Sequence, residues 1–181
     1  MDFFKDTEKL DETDVNQTKF LTFSVASQSF AIEVQNVIEI VGIQEITPVP
    51  QFPDYARGII NLRGQIIPVI DARLRFKKDS KDYNERTCII IVEVKKTLTG
   101  FIVDEVEEVV DIDHSQITKA PSIANANGEE DKYICAVAKR ADKVVLVVDF
   151  EKVLDDGEFE YVAKMTSALS DAEKADAVVV E

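Results

Sequence analysis

Three features of the sequence predict an all-β fold built as a duplicated small β-barrel. The stretch Tyr55–Phe76 (YARGIINLRGQIIPVIDARLRF) holds two β-branched runs, Ile59–Leu62 and Ile66–Ile70, separated by Arg63-Gly64. Two such runs around a Gly-containing pair read as a β-hairpin, with Gly64 supplying the positive φ of a tight turn. The same stretch recurs without a gap as Tyr133–Asp149 (YICAVAKRADKVVLVVD), so that Tyr falls on Tyr and Asp on Asp. Two further blocks recur in the same order: Val37–Val41 as Val106–Val110, and ITxxP at Ile46–Pro50 as Ile117–Pro121. A repeat this long exceeds the roughly 20–50-residue period of a solenoid module.

Taken in order, residues 1–17 carry little apolar content and read as a flexible acidic leader. Lys19–Val25 alternates, as does Phe30–Val34, and Ala26-Ser27-Gln28 joins the two strands. Val34, Val37, Ile38 and Val41 fit helical spacing, which predicts a short helix or irregular turn from about Gln35. Ile43–Pro50 is extended, because Pro48 and Pro50 both disfavour helix before them. In the central hairpin Pro68 cannot donate to a ladder, which predicts an edge or a bulge there. The Asp71 carboxylate is placed to cap the turn Ala72-Arg73-Leu74. Lys77–Arg86 is charged and aperiodic, a linker between repeats.

The second unit starts with Cys88–Val94, whose four consecutive apolar residues from Ile89 to Val92 predict burial on both faces between two packed barrels. Leu98–Asp104 and Val106–Ile112 read as strands, Ile123–Lys132 as a long exposed loop, and Tyr133–Asp149 as the second hairpin. Asp149 caps a helix beginning at Phe150. Tyr161–Lys174 carries only a thin apolar stripe (Tyr161, Val162, Met165, Leu169). The reading totals about ten short strands and little helix. It gives a first barrel at about 20–76, a linker at 77–86, a second barrel at about 87–149, and an acidic tail at 155–181, partly helical or disordered.

Composition narrows function. The 181 residues are 45% hydrophobic with a net charge of −14. Residues 1–19 carry six acids against three bases, and residues 155–181 eight against two, so most of the excess lies in the tails. A polyanionic surface repels phosphate backbones, which argues against nucleic-acid binding. No apolar run reaches the 18 or so residues of a membrane span, and the acidic N-terminus is unlike a secretory signal. Cys88 and Cys135 are too few for a disulfide framework or zinc site and read as reduced thiols of a cytoplasmic protein. His114, the only histidine, sits in a turn-like run and is a poor candidate base. There is no GxGxxG or P-loop motif, and the acids between Asp104 and Asp113 lack EF-hand spacing. The expectation is no catalytic residue, no metal and no cofactor. Arg63 is not required by the hairpin. It reads either as a solvated turn residue or as a recognition residue on a loop of a rigid barrel.

The runs GIINLRGQIIPVIDARLRF, FAIEVQNVIEIVG, ITPVP and TGFIVDEVEEV resemble the CheW family of bacterial chemotaxis coupling proteins over about Phe20–Leu154. The resemblance implies two side-by-side five-stranded SH3-like β-barrels with a short C-terminal helix, and no catalytic activity. It implies a cytoplasmic scaffold that couples chemoreceptor cytoplasmic tips to the histidine kinase CheA through its regulatory domain, recruited to membrane receptor arrays without insertion. Val37, Glu39 and Arg63 match motif positions associated with receptor contact, and Ile40, Gly64 and Val109 complete the implied receptor-binding set. Cys135-Ala136 departs from the family pattern, where a glycine commonly follows the second-half tyrosine. The alternatives are a CheW-like adaptor of another two-component sensory pathway, such as surface motility, or a small-molecule-binding double barrel.

Overall fold

The structure, a computed structural model, describes residues 16–120 and 133–179. Eleven strands among them form two sheets. In chain order they are β1 (Gln17–Val25), β2 (Gln28–Glu33), β3 (Val37–Gly42), β4 (Ala56–Leu62), β5 (Gln65–Asp71), β6 (Cys88–Val94), β7 (Thr97–Val103), β8 (Glu105–Asp113), β9 (Ile117–Lys119), β10 (Ile134–Arg140) and β11 (Lys143–Val148). One sheet runs β3-β6-β7-β5-β4, the other β8-β1-β2-β11-β10-β9. The expected loop at 123–132 and most of the leader lie outside the described residues.

Neither sheet is a contiguous half of the chain, which corrects the barrel boundaries read from sequence. The hairpin β1–β2 belongs to the second sheet, where β1 pairs with β8 and β2 runs parallel to β11. The hairpin β6–β7 belongs to the first, between β3 and β5. The duplication is therefore an exchange: each unit lends its leading hairpin to the other. Register confirms the equivalence residue by residue. Phe23 faces Phe30 as Val92 faces Thr99, Glu39 faces Ile91 as Glu108 faces Thr22, and Val69 faces Gly100 as Val147 faces Ala31. Even the bulges recur, at Ala56/Gly58 and at Ile134/Ala136. Closure also repeats. The chain beyond β3 returns on β4 through a single bridge, Thr47 to Ile59, where the second barrel has all of β9 on β10.

Two local readings need correction. The short turn expected near Gln35 is the 3-10 turn Val34–Asn36, but the helical spacing carries no further, because Val37 begins a strand. With Val37, Ile38, Ile40 and Val41 all β-branched, both faces of β3 are apolar, so its period-2 alternation is hidden in the sequence. β5 is an interior strand and Pro68 is buried. Ile59 spends its N–H and C=O on Thr47, which leaves Ile59–Pro68 a non-hydrogen-bonded pair. The parallel ladder to β7 begins one residue later, at Val69, so the missing donor costs nothing.

Asp71 caps α1 (Ala72–Arg75) as expected, accepting from the N–H groups of Arg73 and Leu74 and from the Tyr83 hydroxyl at 2.7 Å. Asp149 caps only a 3-10 turn, Phe150–Lys152. The long helix α2 (Asp156–Val179) starts with a capping box. The Glu158 N–H donates to the Asp155 carboxylate at 2.7 Å, and the Asp155 N–H donates to the Glu158 carboxylate at 3.0 Å. It docks through Phe159, Val162 and Met165 rather than standing free in solvent. Tyr161 is not in that stripe; it is exposed, and its hydroxyl donates to the Gln51 carbonyl at 2.7 Å.

Each barrel has a small core of its own. Ile60, Ile67, Val69, Ile89, Ile91 and Ile102 fill the first; Phe20, Ala31, Val110, Ile112, Ala138, Val145 and Val147 fill the second. The largest core lies between them and takes the opposite faces of β1, β6 and β7, where Phe150 stacks on Phe101 (4.1 Å between centroids) and on Phe23 (5.9 Å). The doubly buried β6 follows from this arrangement: Ile89 and Ile91 face the first barrel, Ile90 and Val92 the shared core. With most apolar contact shared, the barrels should unfold as one cooperative unit. A single calorimetric transition is expected; two separated transitions would contradict a shared core.

A polar clamp adds to this joint. The Asp104 N–H donates to the Ser24 carbonyl, and its carboxylate accepts from the Ala26 N–H (2.9 Å) and twice from the Arg73 guanidinium (2.7 Å each). Burial alone would raise the Asp104 carboxyl, but the hydrogen bonds from Arg73 and Ala26 outweigh it and hold it below its ordinary value of 3.8. A carboxyl depressed by folding contributes stability that is present above the unfolded value and lost as pH falls through the folded one. Asp104→Asn should therefore lower the urea midpoint at pH 7 and flatten its fall below about pH 4. Parallel pH profiles for both proteins would mean that the clamp carries no linked proton.

Candidate functional site

The strand β3 and the turn of β4–β5 come together at one end of the first barrel. Along β3, Val37, Glu39 and Val41 are half-buried and alternate with the exposed Ile38, Ile40 and Gly42. Ile38 and Ile40 are 55% and 41% exposed, and Ile38 sits at the bulge where the register of β3 on β6 shifts between Val37 and Glu39. The β4–β5 turn is a two-residue loop with Arg63 at φ 51° and Gly64 at φ 85°. Asn61 braces it by accepting the Gly64 N–H at 2.8 Å. Positive φ at Arg63 belongs to the turn type and marks no special strain, since Ala26, Lys95 and Ala141 open their hairpin turns the same way.

In the sequence Arg63 and Glu39 read as two independent exposed charges, but in the fold they are partners. The Arg63 guanidinium donates to the Glu39 carboxylate, and this hydrogen bond, with the charge behind it, pushes the guanidinium further above its already high range. Arg63 is exposed and Glu39 is partly shielded by its neighbours on β3. Of the expected receptor-binding residues, Val37, Glu39 and Ile40 lie on β3, and Arg63 and Gly64 form the turn that the Glu39–Arg63 pair joins to it. Val109 does not join them. It lies on β8 of the other sheet, at the position equivalent to Ile40, and is 54% exposed.

That second face repeats the first in a way that individual residues do not announce. Glu108, equivalent to Glu39, pairs with Arg140 at 2.6 Å. Arg140 stands one residue short of the position that aligns with Arg63. Val109 and Val144 supply exposed apolar groups there, as Ile38 and Ile40 do on the first barrel. The signal available in the sequence is the Val37–Val41/Val106–Val110 repeat, read with the strand pairing it implies.

Cys88 and Cys135 are free and half-buried, and burial pushes the Cys135 thiol up, away from reactivity. The His114 Nε2 lies 2.7 Å from the Thr18 hydroxyl at the exposed end of β1. Among the described residues no group of three or more His, Cys, Asp or Glu side chains is placed to hold a metal ion. Among them, too, no helix is long and apolar enough to cross a membrane.

The family model for the CheW-like domain matches residues 19–158. The chain belongs to the CheW-like family. It is 31% identical over 144 residues to the chemotaxis protein CheW of Klebsiella aerogenes, covering 80% of this chain and 86% of that one. It is 34% identical over 137 residues to the Bacillus subtilis chemotaxis protein CheW, covering 76% and 86%. Among solved structures it resembles the scaffolding protein TtCheW of Thermoanaerobacter tengcongensis, with a TM-score of 0.71 and 33% identity over 78% of this chain and 94% of that one. The family expected from the sequence agrees with these matches, and the all-β fold with the two sheets described above. The departure at Cys135-Ala136 leaves the fold intact: β10 forms through both residues and keeps its bulge.

Proposed function

We propose that this CheW-like chain is a non-enzymatic chemotaxis scaffold in the cytoplasm. It couples chemoreceptor cytoplasmic tips to the histidine kinase CheA and joins membrane receptor arrays through those partners. The receptor face is the end of the first barrel, with Val37 beneath it, Ile40 on it, and Glu39, Arg63 and Gly64 at its edge. Val109 marks the equivalent face of the second barrel. One observation carries this reading. A hydrogen-bonded ion pair lies beside two exposed isoleucines of β3, Ile38 at its bulge and Ile40 beyond it, which combines burial with orientation as protein interfaces do. The barrel beneath is closed and well packed, so the charges are presented on a rigid support.

A reconstituted phosphorylation assay tests it. Adding the chain to CheA and a receptor cytoplasmic fragment should raise kinase output and make it respond to the receptor. Unchanged output at saturating concentrations of all three proteins would overturn the coupling role.

A further inference from the structure

We propose that the acidic leader before β1 docks on the outer face of the β10–β11 hairpin through Phe4, Thr7 and Leu10, as α2 docks on β5. The two barrels differ at this face. In the first, Ile66 is half-buried and Pro68 buried; at the matching register positions of the second, Val144 is 58% exposed and Leu146 half-buried. The difference is α2. It packs against β5, whereas among the described elements only the ladder neighbours β2 and β10 pack on β11 to a like extent. Val137, opposite Leu146, and Lys139, opposite Val144, complete the uncovered face.

The leader carries a copy of the stretch that covers the first barrel. Phe4–Leu10 (FKDTEKL) matches Phe159–Met165 (FEYVAKM), with Phe, a β-branched residue, Lys and a long aliphatic residue at the same spacing. In α2 Phe159, Val162 and Met165 are the groups that pack into the shared core, while Lys164 is exposed. Phe4, Thr7 and Leu10 repeat that stripe.

Charge points to the same place. The acids at the start of α2 are held by bases of the first barrel and its joint: Lys95 donates to the Asp156 carboxylate, and Arg75 lies 3.5 Å from Glu158. On the second barrel Lys139 and Lys143 are exposed beside Val144, and no carboxylate among the described residues pairs with either. Residues 1–15 carry six acids against two bases. The exposed isoleucines of β3 offer the opposite, since they flank Glu39 on the other barrel.

Reach allows it. The leader runs into β1 at Gln17, opposite Asp113; one 3-10 turn leads from there to Ile117, opposite Ala138, which faces Val145. At about 4.8 Å per strand this path to Val144 is on the order of 25 Å, and a leader of this length spans up to about 50 Å.

The chain has no tryptophan, so Phe4→Trp places a single reporter in the intact protein. Its emission should be blue-shifted and shielded from acrylamide at every protein concentration, because the cover comes from the same chain. Val144→Asp in that background should move the closed-to-open ratio at least about tenfold toward open, since a carboxylate is costly in an apolar contact. Lys139→Glu/Lys143→Glu and high salt should both act in the same direction. Without the reporter, Phe4→Ser/Leu10→Ser should shift the backbone amides of residues 137–146 relative to wild type. An exposed tryptophan with unchanged amide shifts there would overturn the proposal. So would shielding that appears only as protein concentration rises, which would assign the leader to a second copy, or shielding lost through Ile40→Asp instead of Val144→Asp.

Discussion

Gly58→Ala is expected to lower stability by about 2–4 kcal/mol, a fall in Tm of about 5–15 °C for a chain of this size. Gly58 sits in the β4 bulge at φ +146°, and a Cβ there would lie 2.0 Å from the Thr47 carbonyl oxygen and 2.7 Å from its carbon. Both obstacles are backbone, so no side-chain rotation relieves them. They also belong to the Thr47–Ile59 bridge that closes the first barrel. The equivalent residue of the second barrel is Ala136, facing the regular strand β9, where the same bulge admits a Cβ. Two other glycines calibrate the result. Gly64→Ala, at φ +85° with nothing within 4 Å, should cost only about 1–2 kcal/mol of backbone strain. Gly42→Ala, also in open space and without a positive φ, should be neutral within about 0.5 kcal/mol. Equal urea midpoints for Gly58→Ala and Gly42→Ala would show that the bridge does not hold the barrel closed.

The largest expected effect on binding comes from Arg63 and Glu39. Arg63→Glu or Glu39→Lys places two like charges where an ion pair stood, at the edge of the proposed receptor face. Receptor-fragment affinity should fall at least about thirtyfold, as expected when a partly desolvated charge is reversed. CheA regulatory-domain binding should be unaffected if it uses another face. The pairing of these two residues allows a sharper measurement than either reversal alone. The exchanged variant Arg63→Glu/Glu39→Lys restores attraction within the chain and should match wild type in circular dichroism and thermal melting. Its receptor binding should stay weak, because the charges a partner would meet are transposed. Recovery of binding along with the intramolecular pair would mean that the pair acts only by supporting β3. Loss of both partners together would mean that the two surfaces overlap.

Hairpins, repeat and family are all legible in the amino-acid sequence, because each rests on short-range chemistry or on identical residues at a fixed offset. The exchange of hairpins is not. β1–β2 and β6–β7 match in register, but Leu21, Phe23 and Val25 stand against Ile90, Val92 and Val94, so only the final valine is shared. Nothing local says which neighbour a hairpin will choose. β3 hides for a related reason, since a strand apolar on both faces loses its period of two. In the candidate site the sequence names the residues and conceals the relation between them. Glu39 meets Arg63 only because the barrel closes, and closure rests on one bridge at Thr47. The docking of α2 is half legible: Val162 and Met165 stand in the expected stripe, while Phe159 lies a turn before it and Tyr161 faces the other way.

The exchange of hairpins also sets an order of events at the ribosome. β1–β2 is made first, yet its sheet partners β8 and β11 come roughly 90 and 115 residues later. The first barrel is complete in sequence once β7 has emerged, while the opening hairpin still waits for its sheet partners β8 and β11. Cutting the chain in the segment 77–86 would therefore release no free-standing barrel. It would give two fragments that each hold a hairpin the other needs, and mixing them should regenerate the fold by complementation.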